Sequence, residues 1–119
     1  MIGTTGLAQL RVDCIVGIYP HERDVAQTVF LDIELDYDFA PASRTDTIAD
    51  AVDYDQVVSR VTALLQTRRF HLIETMAEAA SAMLLDSVPA IRAVRLTIRK
   101  PAAVPAAAAS FVRVERERP

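Results

Sequence analysis

Thr28-Val29-Phe30-Leu31-Asp32-Ile33-Glu34-Leu35-Asp36-Tyr37-Asp38-Phe39 is the stretch that decides the fold class. Val29, Leu31, Ile33, Leu35, Tyr37 and Phe39 alternate with Asp32, Glu34, Asp36 and Asp38. Successive side chains of a strand point to opposite faces. A period of two held this long predicts a half-buried strand with an acidic outer face. Upstream, Leu7 to Ile18 reads as a partner strand with Leu10, Val12, Cys14 and Val16 on one face. The polar, turn-rich run Gly17 to Asp24 returns the chain between them, which predicts an antiparallel hairpin.

Downstream the period changes. Ala40 to Val52 is a polar connection, and Asp53 with Gln56 three residues later resembles a capping box, so a helix starts at Tyr54. Its buried stripe is Val57, Val58, Val61, Leu64 and Leu65. Thr67 to His71 interrupts the stripe. A second helix runs from about Leu72 to Leu85, with Ile73, Met76, Ala77, Ala80, Met83 and Leu84 inward. Ala90 to Lys100 is a third strand, Pro101 to Ala109 a Pro/Ala connector, and Phe111 to Glu117 a fourth strand. The order β-β-α-α-β-β lacks the βαβ alternation of a parallel sheet. It predicts an α+β domain, an antiparallel four-stranded sheet with two helices on one face. The domain spans 1–119, with Met1 to Gly6 as a flexible lead. Such a sheet has two open edges, and joining subunits into a barrel is one way to close them, so a homo-oligomer is expected.

Composition removes several classes of function. A net charge of −3 argues against a nucleic-acid partner. No apolar run approaches the ~20 residues of a membrane span, and the first residues lack the basic-then-apolar order of a signal peptide. The single cysteine, Cys14, forbids an intramolecular disulfide framework. A cytoplasmic protein is expected. His21 and His71, with one cysteine in an apolar run, do not supply the three ligands of a catalytic zinc, so both read as surface or structural residues. No metal and no cofactor is expected.

Of the thirteen Lys plus Arg, only Lys100 is lysine. An arginine stays protonated at any working pH, whereas a lysine ammonium can release its proton. The one lysine therefore marks a position where a proton can move, or else it is a lone surface lysine. Three other polar residues fall at element boundaries: Glu22 in the first hairpin loop, Tyr54 in the first turn of helix one, and Glu74 at the start of helix two. A carboxylate at a helix start is favoured by the macrodipole and can accept two parallel N–H bonds from an amidine-like edge. The bland alternatives are a dipole-complementing Glu74, a packing Tyr54, and a solvated Glu22 beside Arg23.

Taken in order, these residues resemble the dihydroneopterin aldolase family. The likeness runs from about Leu10 to Glu115. It rests on Gly17-Ile18-Tyr19-Pro20-His21-Glu22-Arg23 with Gln27, on Asp46, and on Val52-Asp53-Tyr54. It continues through Leu72-Ile73-Glu74 with Ala77-Glu78 to Lys100-Pro101-Ala102-Ala103-Val104. The resemblance implies the tunnelling fold, in which subunits join as tetramer rings, commonly stacked into octamers, with active sites at subunit interfaces. It implies a pterin substrate, 7,8-dihydroneopterin, split by a retro-aldol reaction into 6-hydroxymethyl-7,8-dihydropterin and glycolaldehyde for folate synthesis. Lys100 is then the general acid/base, acting with ordered water. Glu22 binds the hydroxylated side chain or that water, and Tyr54 reaches over from a neighbouring subunit. Glu74 anchors the 2-amino group and N3–H with the backbone of Ile73, while Val52 and Asp53 line the pocket. Relatives that epimerise C2′ of dihydroneopterin or its triphosphate, and a non-catalytic pterin-binding ring paralogue, are the alternatives.

Overall fold

The period-two run is realised as strand β2, Gln27–Asp38, in the computed structural model, which describes residues 1–119. Val29, Leu31, Ile33, Leu35 and Tyr37 are buried, and the intervening Asp32, Glu34 and Asp36 lie on the opposite face. β2 pairs antiparallel with β1 (Ile2–Cys14) on one side and with β3 (Ala93–Lys100) on the other; β4 (Ser110–Glu117) follows β3. The sheet order is β1-β2-β3-β4, two hairpins joined across the helical segment. Helix α3 (Tyr54–Arg68) packs over β1, and α4 (Ile73–Ser87) over β3 and β4. The α+β architecture read from the periodicity is the one observed.

The helices follow their apolar stripes. Val57, Val61 and Leu65 recur every four residues on α3 and are buried; Met76, Ala77, Ala80 and Leu84 do the same on α4. Asp53 caps α3 by accepting from the Asp55 amide at 3.0 Å, but Gln56 does not complete the reciprocal bond of a capping box. Ser81 is buried in α4 and satisfies its hydroxyl locally, donating to the Ala77 carbonyl at 3.0 Å.

Four local expectations are corrected. Met1 to Gly6 are no flexible lead, because β1 begins at Ile2. β2 is long enough to template them: Ile2 pairs with Asp38, and the terminal ammonium contacts Asp38 Oδ1 at 3.0 Å. Glycines and threonines in this stretch hide the alternation. β1 also stops at Cys14, short of Ile18. It absorbs one extra residue in a bulge between Leu7 and Leu10, where Gln9 takes a positive φ of 53° and its N–H donates to Asp32 Oδ1 at 2.8 Å. The Gly17–Asp24 loop contains a short helix α1 (Pro20–Asp24), and the polar connection contains α2 (Ala40–Thr45) and a 3-10 turn at Ile48–Asp50. In each of the two helices proline occupies the first turn, where its missing N–H costs nothing and its fixed φ is already helical.

The face of the sheet away from the helices is a lattice of opposite charges. Arg95 on β3 grips Asp36 with two bonds, 2.8 and 2.7 Å, and Arg99 pairs with Asp32. The strong cross-strand pairing explains how an acidic strand face is held beside its neighbour without repulsion.

Candidate active site

Strand alternation delivers the single lysine to the helix side of the sheet. Val94, Leu96 and Ile98 are core residues, and Lys100 continues their row at the last position of β3. Pro101 follows and, lacking an N–H, ends the ladder there. Lys100 is consequently buried, at 9% exposure, where a solvated surface lysine was the bland alternative. Burial of an ammonium requires a partner. Glu22 provides it: Lys100 Nζ lies 2.7 Å from Glu22 Oε2.

Glu22 is itself 9% exposed, which excludes the reading of a solvated loop charge. Its carboxylate also accepts from the Tyr19 amide at 3.3 Å and from Gln27 Nε2 at 3.2 Å. The Gln27 amide spans the loop, since the same Nε2 donates to the Val16 carbonyl at 2.8 Å. Room for the carboxylate comes from Gly17. Its φ of 131° suits glycine, and a Cβ there would fall 2.3–2.5 Å from the Glu22 carboxyl atoms. The loop is thus shaped around Glu22.

The Lys100 hydrogen bond, more than any other contact, pulls the Glu22 carboxyl down to about 2; the Tyr19 and Gln27 bonds act the same way and burial opposes them. Asp36, held by Arg95, is lowered to about 2 as well. A depressed carboxyl contributes stability that is complete above its ordinary value, near 4.5 for Glu22, and is lost as pH falls through the folded value. Urea midpoints measured from pH 7 to pH 2 are therefore expected to decline between about 4.5 and about 2. Glu22→Gln should flatten that decline only in part, because Asp36 titrates in both proteins; an unchanged profile would remove Glu22 from the account.

Beside the Lys100–Glu22 pair opens a cavity of about 420 Å³, in the size range of a small-molecule site. Ile73 and Glu74, from the first turn of α4, line it together with Lys100 and Glu22. Glu74 is exposed to this space and makes no hydrogen bond or ion pair with the protein. Ile18, Leu72 and Phe111 supply apolar wall. Four of the seven residues singled out in the sequence are therefore brought together: Glu22, Ile73, Glu74 and Lys100. Val52, Asp53 and Tyr54 are not. They sit at the start of α3; Val52 is in the core, Asp53 serves as the helix cap, and Tyr54 is 53% exposed with its ring outside the cavity.

Sequence reading missed His21, His71 and Phe111, all of which line the cavity. The histidines read as surface or structural residues because, with the one cysteine, they cannot supply the three ligands of a zinc site. Their nearness in sequence to Glu22 and Glu74 was the signal available. Phe111 had none: it reaches the cavity from the start of β4, next to Ser110, the partner of Lys100.

The arrangement can move a proton between a buried ammonium and a ligand while an unpaired carboxylate grips an N–H-rich edge. Comparison with known proteins points the same way. The family model described as dihydroneopterin aldolase matches residues 6–117. The dihydroneopterin aldolase of Escherichia coli strain K12 is 33% identical over 110 residues, covering 92% of this chain and 89% of that protein. The crystal structure of the E. coli enzyme in complex with neopterin superposes with a TM-score of 0.91 at 32% identity, covering 96% of this chain and 98% of the other. That of the Burkholderia thailendensis dihydroneopterin aldolase bound to guanine gives 0.85 at 28% identity, with 99% and 93% covered.

Proposed function

The chain belongs to the dihydroneopterin aldolase family, and from that premise we propose that it cleaves 7,8-dihydroneopterin through the Lys100–Glu22 pair. It is a lyase. The side chain of the substrate breaks between C1′ and C2′. The C2′ hydroxyl gives up its proton and becomes the aldehyde of glycolaldehyde. The electron pair of the broken bond passes into C1′=C6, and N5, the end of the ring C=N, takes a proton. Protonation of C1′ and loss of the N5 proton then give 6-hydroxymethyl-7,8-dihydropterin. Because the ring C=N accepts the electrons, the reaction needs proton transfers and a firm grip on the pterin.

Each candidate residue takes a role that suits its surroundings. Lys100 carries the proton between the side-chain hydroxyl and N5, as a general acid/base held by Glu22. Glu22 orients that ammonium and accepts from the hydroxylated side chain. Glu74 receives the 2-amino and N3–H donors of the pterin, assisted by the Ile73 backbone. Tyr54 through its side chain, and Val52 and Asp53 through their main chain, act on the cavity of a second copy of the chain, in a homo-oligomeric ring, tetramer or octamer, whose sheets join as a barrel. Two observations support this placement: the exposed Tyr54 lies outside its own cavity, and β1 and β4 are unpaired edges. The buried thiol of Cys14, pushed up to about 11 by burial, suits the reducing cytoplasm in which we place the reaction.

The buried Lys100–Glu22 pair opening on the same cavity as Glu74 is the observation that carries this reading. Feeding dihydroneopterin and its triphosphate separately and resolving products by chromatography is the test. The expected product is 6-hydroxymethyl-7,8-dihydropterin from dihydroneopterin, with glycolaldehyde in equal amount. Predominance of the 2′-epimer would make the protein an epimerase, and no turnover of either would leave a pterin-binding paralogue.

A further inference from the structure

Arg23 follows Glu22 in the chain, is half-buried, and has no carboxylate partner. Its guanidinium is spent on backbone carbonyls. Nη1 donates to Gly17 O and to Phe70 O, each at 3.0 Å, and Nη2 donates to Arg69 O at 2.7 Å. Two of the three acceptors lie just beyond α3, where Arg69 ends the helix in the left-handed region with φ 46°. Carbonyls at a helix C-terminus have no intrahelical donors, and a basic side chain can supply them. Here that side chain comes from another element. Gly17 adds a third bond across the seam between this loop and the end of α3, its N–H donating to Phe70 O at 3.1 Å.

The seam matters because of what each side carries. Gly17 packs directly on the Glu22 carboxylate, so a shift of Gly17 shifts Glu22. We propose that Arg23 is a positioning residue for the cleavage: its planar fork fixes the loop that aims Glu22 at Lys100, using the end of α3 as the reference. This rests on the reading of Lys100 and Glu22 as the reacting pair. A lysine at position 23 keeps the charge but cannot present the fork. The base-gripping end of the cavity is held separately, since Ile73, Met76 and Ala77 anchor the start of α4 in the core. Loss of Arg23 should therefore disturb proton transfer more than pterin binding.

The test compares Arg23→Ala and Arg23→Lys with the wild type in kcat, in the Kd of the unreactive substrate-like ligand neopterin, and in the NMR titration of the carbon-13-labelled Glu22 carboxyl. A displacement of about 1 Å at a reacting group can cost about 100-fold in rate. Arg23→Ala is expected to lose on the order of that in kcat and Arg23→Lys about tenfold, with neopterin affinity within threefold and the Glu22 titration moved upward in both. Added guanidinium, at concentrations that leave the wild type unaffected, should restore part of the Arg23→Ala rate. A lower melting temperature with kcat within threefold of wild type would reduce Arg23 to a helix cap and overturn the proposal, as would parallel losses of kcat and neopterin affinity. If Arg23→Ala does not fold, Arg23→Lys alone decides by the same criteria. If the wild type fails to cleave dihydroneopterin, the proposed function falls, and an unmoved Glu22 titration in Arg23→Lys would separately reject the positioning role.

Discussion

Lys100→Arg is expected to lower kcat by about 10³-fold while leaving the Kd for neopterin within about threefold of wild type. The substitution keeps a cation beside Glu22, 2.7 Å from Nζ in the native pair, and so preserves the electrostatic partnership. What it removes is the ability to give up a proton, since a guanidinium does not deprotonate in a protein. Lys100→Ala should be as inactive but for an additional reason. It strands a buried carboxylate, and breaking a buried pair by deleting one partner costs on the order of 3–5 kcal/mol. The two variants therefore separate by stability: a large drop in the urea midpoint for Lys100→Ala, and a smaller one for Lys100→Arg. Steady-state rates and urea titrations on both variants check this. An arginine variant within tenfold of the wild-type rate would leave Lys100 as a counter-ion only.

The same lysine shows how far the sequence carried. Being the only lysine of thirteen cations flagged it, but its place on the core side, in the row of Val94, Leu96 and Ile98, is seen only in the structure. Periodicity also gave the four strands, both long helices and their buried stripes, because burial of one face is what those patterns encode. It failed where hydrogen bonding, and not apolar burial, sets the structure. The first residues of β1 are a strand because β2 templates them, and α1 exists because Pro20 starts a turn that closes on Glu22. Neither leaves a hydrophobic trace. The site divides along the same line. Glu22, Ile73, Glu74 and Lys100 meet within one chain, whereas Tyr54 sits apart, and no pattern within a chain encodes which surface a neighbour will meet. The work of Arg23 was invisible for a related reason: its three acceptors are carbonyls, and carbonyls carry no residue identity.

Glu74→Gln should show the opposite signature to Lys100→Arg, a loss of binding with the fold intact. Glu74 stands in the first turn of α4, lines the cavity, and has no hydrogen-bonding or ionic partner in the protein. Its only contribution to folding is then its favourable position on the helix dipole, worth about 0.3–1 kcal/mol. Toward a pterin it offers two carboxylate oxygens to two N–H donors, and each hydrogen bond to a charged group is worth about 1.5–3 kcal/mol. Glutamine retains one acceptor and turns an NH₂ toward the second donor. A loss near 3 kcal/mol follows, which is about 100-fold in Kd for neopterin. Binding exceeds stability here by several-fold, so the two roles cannot be confused. Calorimetric titration of neopterin and a urea midpoint on one preparation are sufficient. Affinity within threefold of wild type would make Glu74 a dipole-complementing residue and leave the pterin edge without its anchor. A hundredfold weaker complex with an unmoved midpoint would place the carboxylate on the ligand.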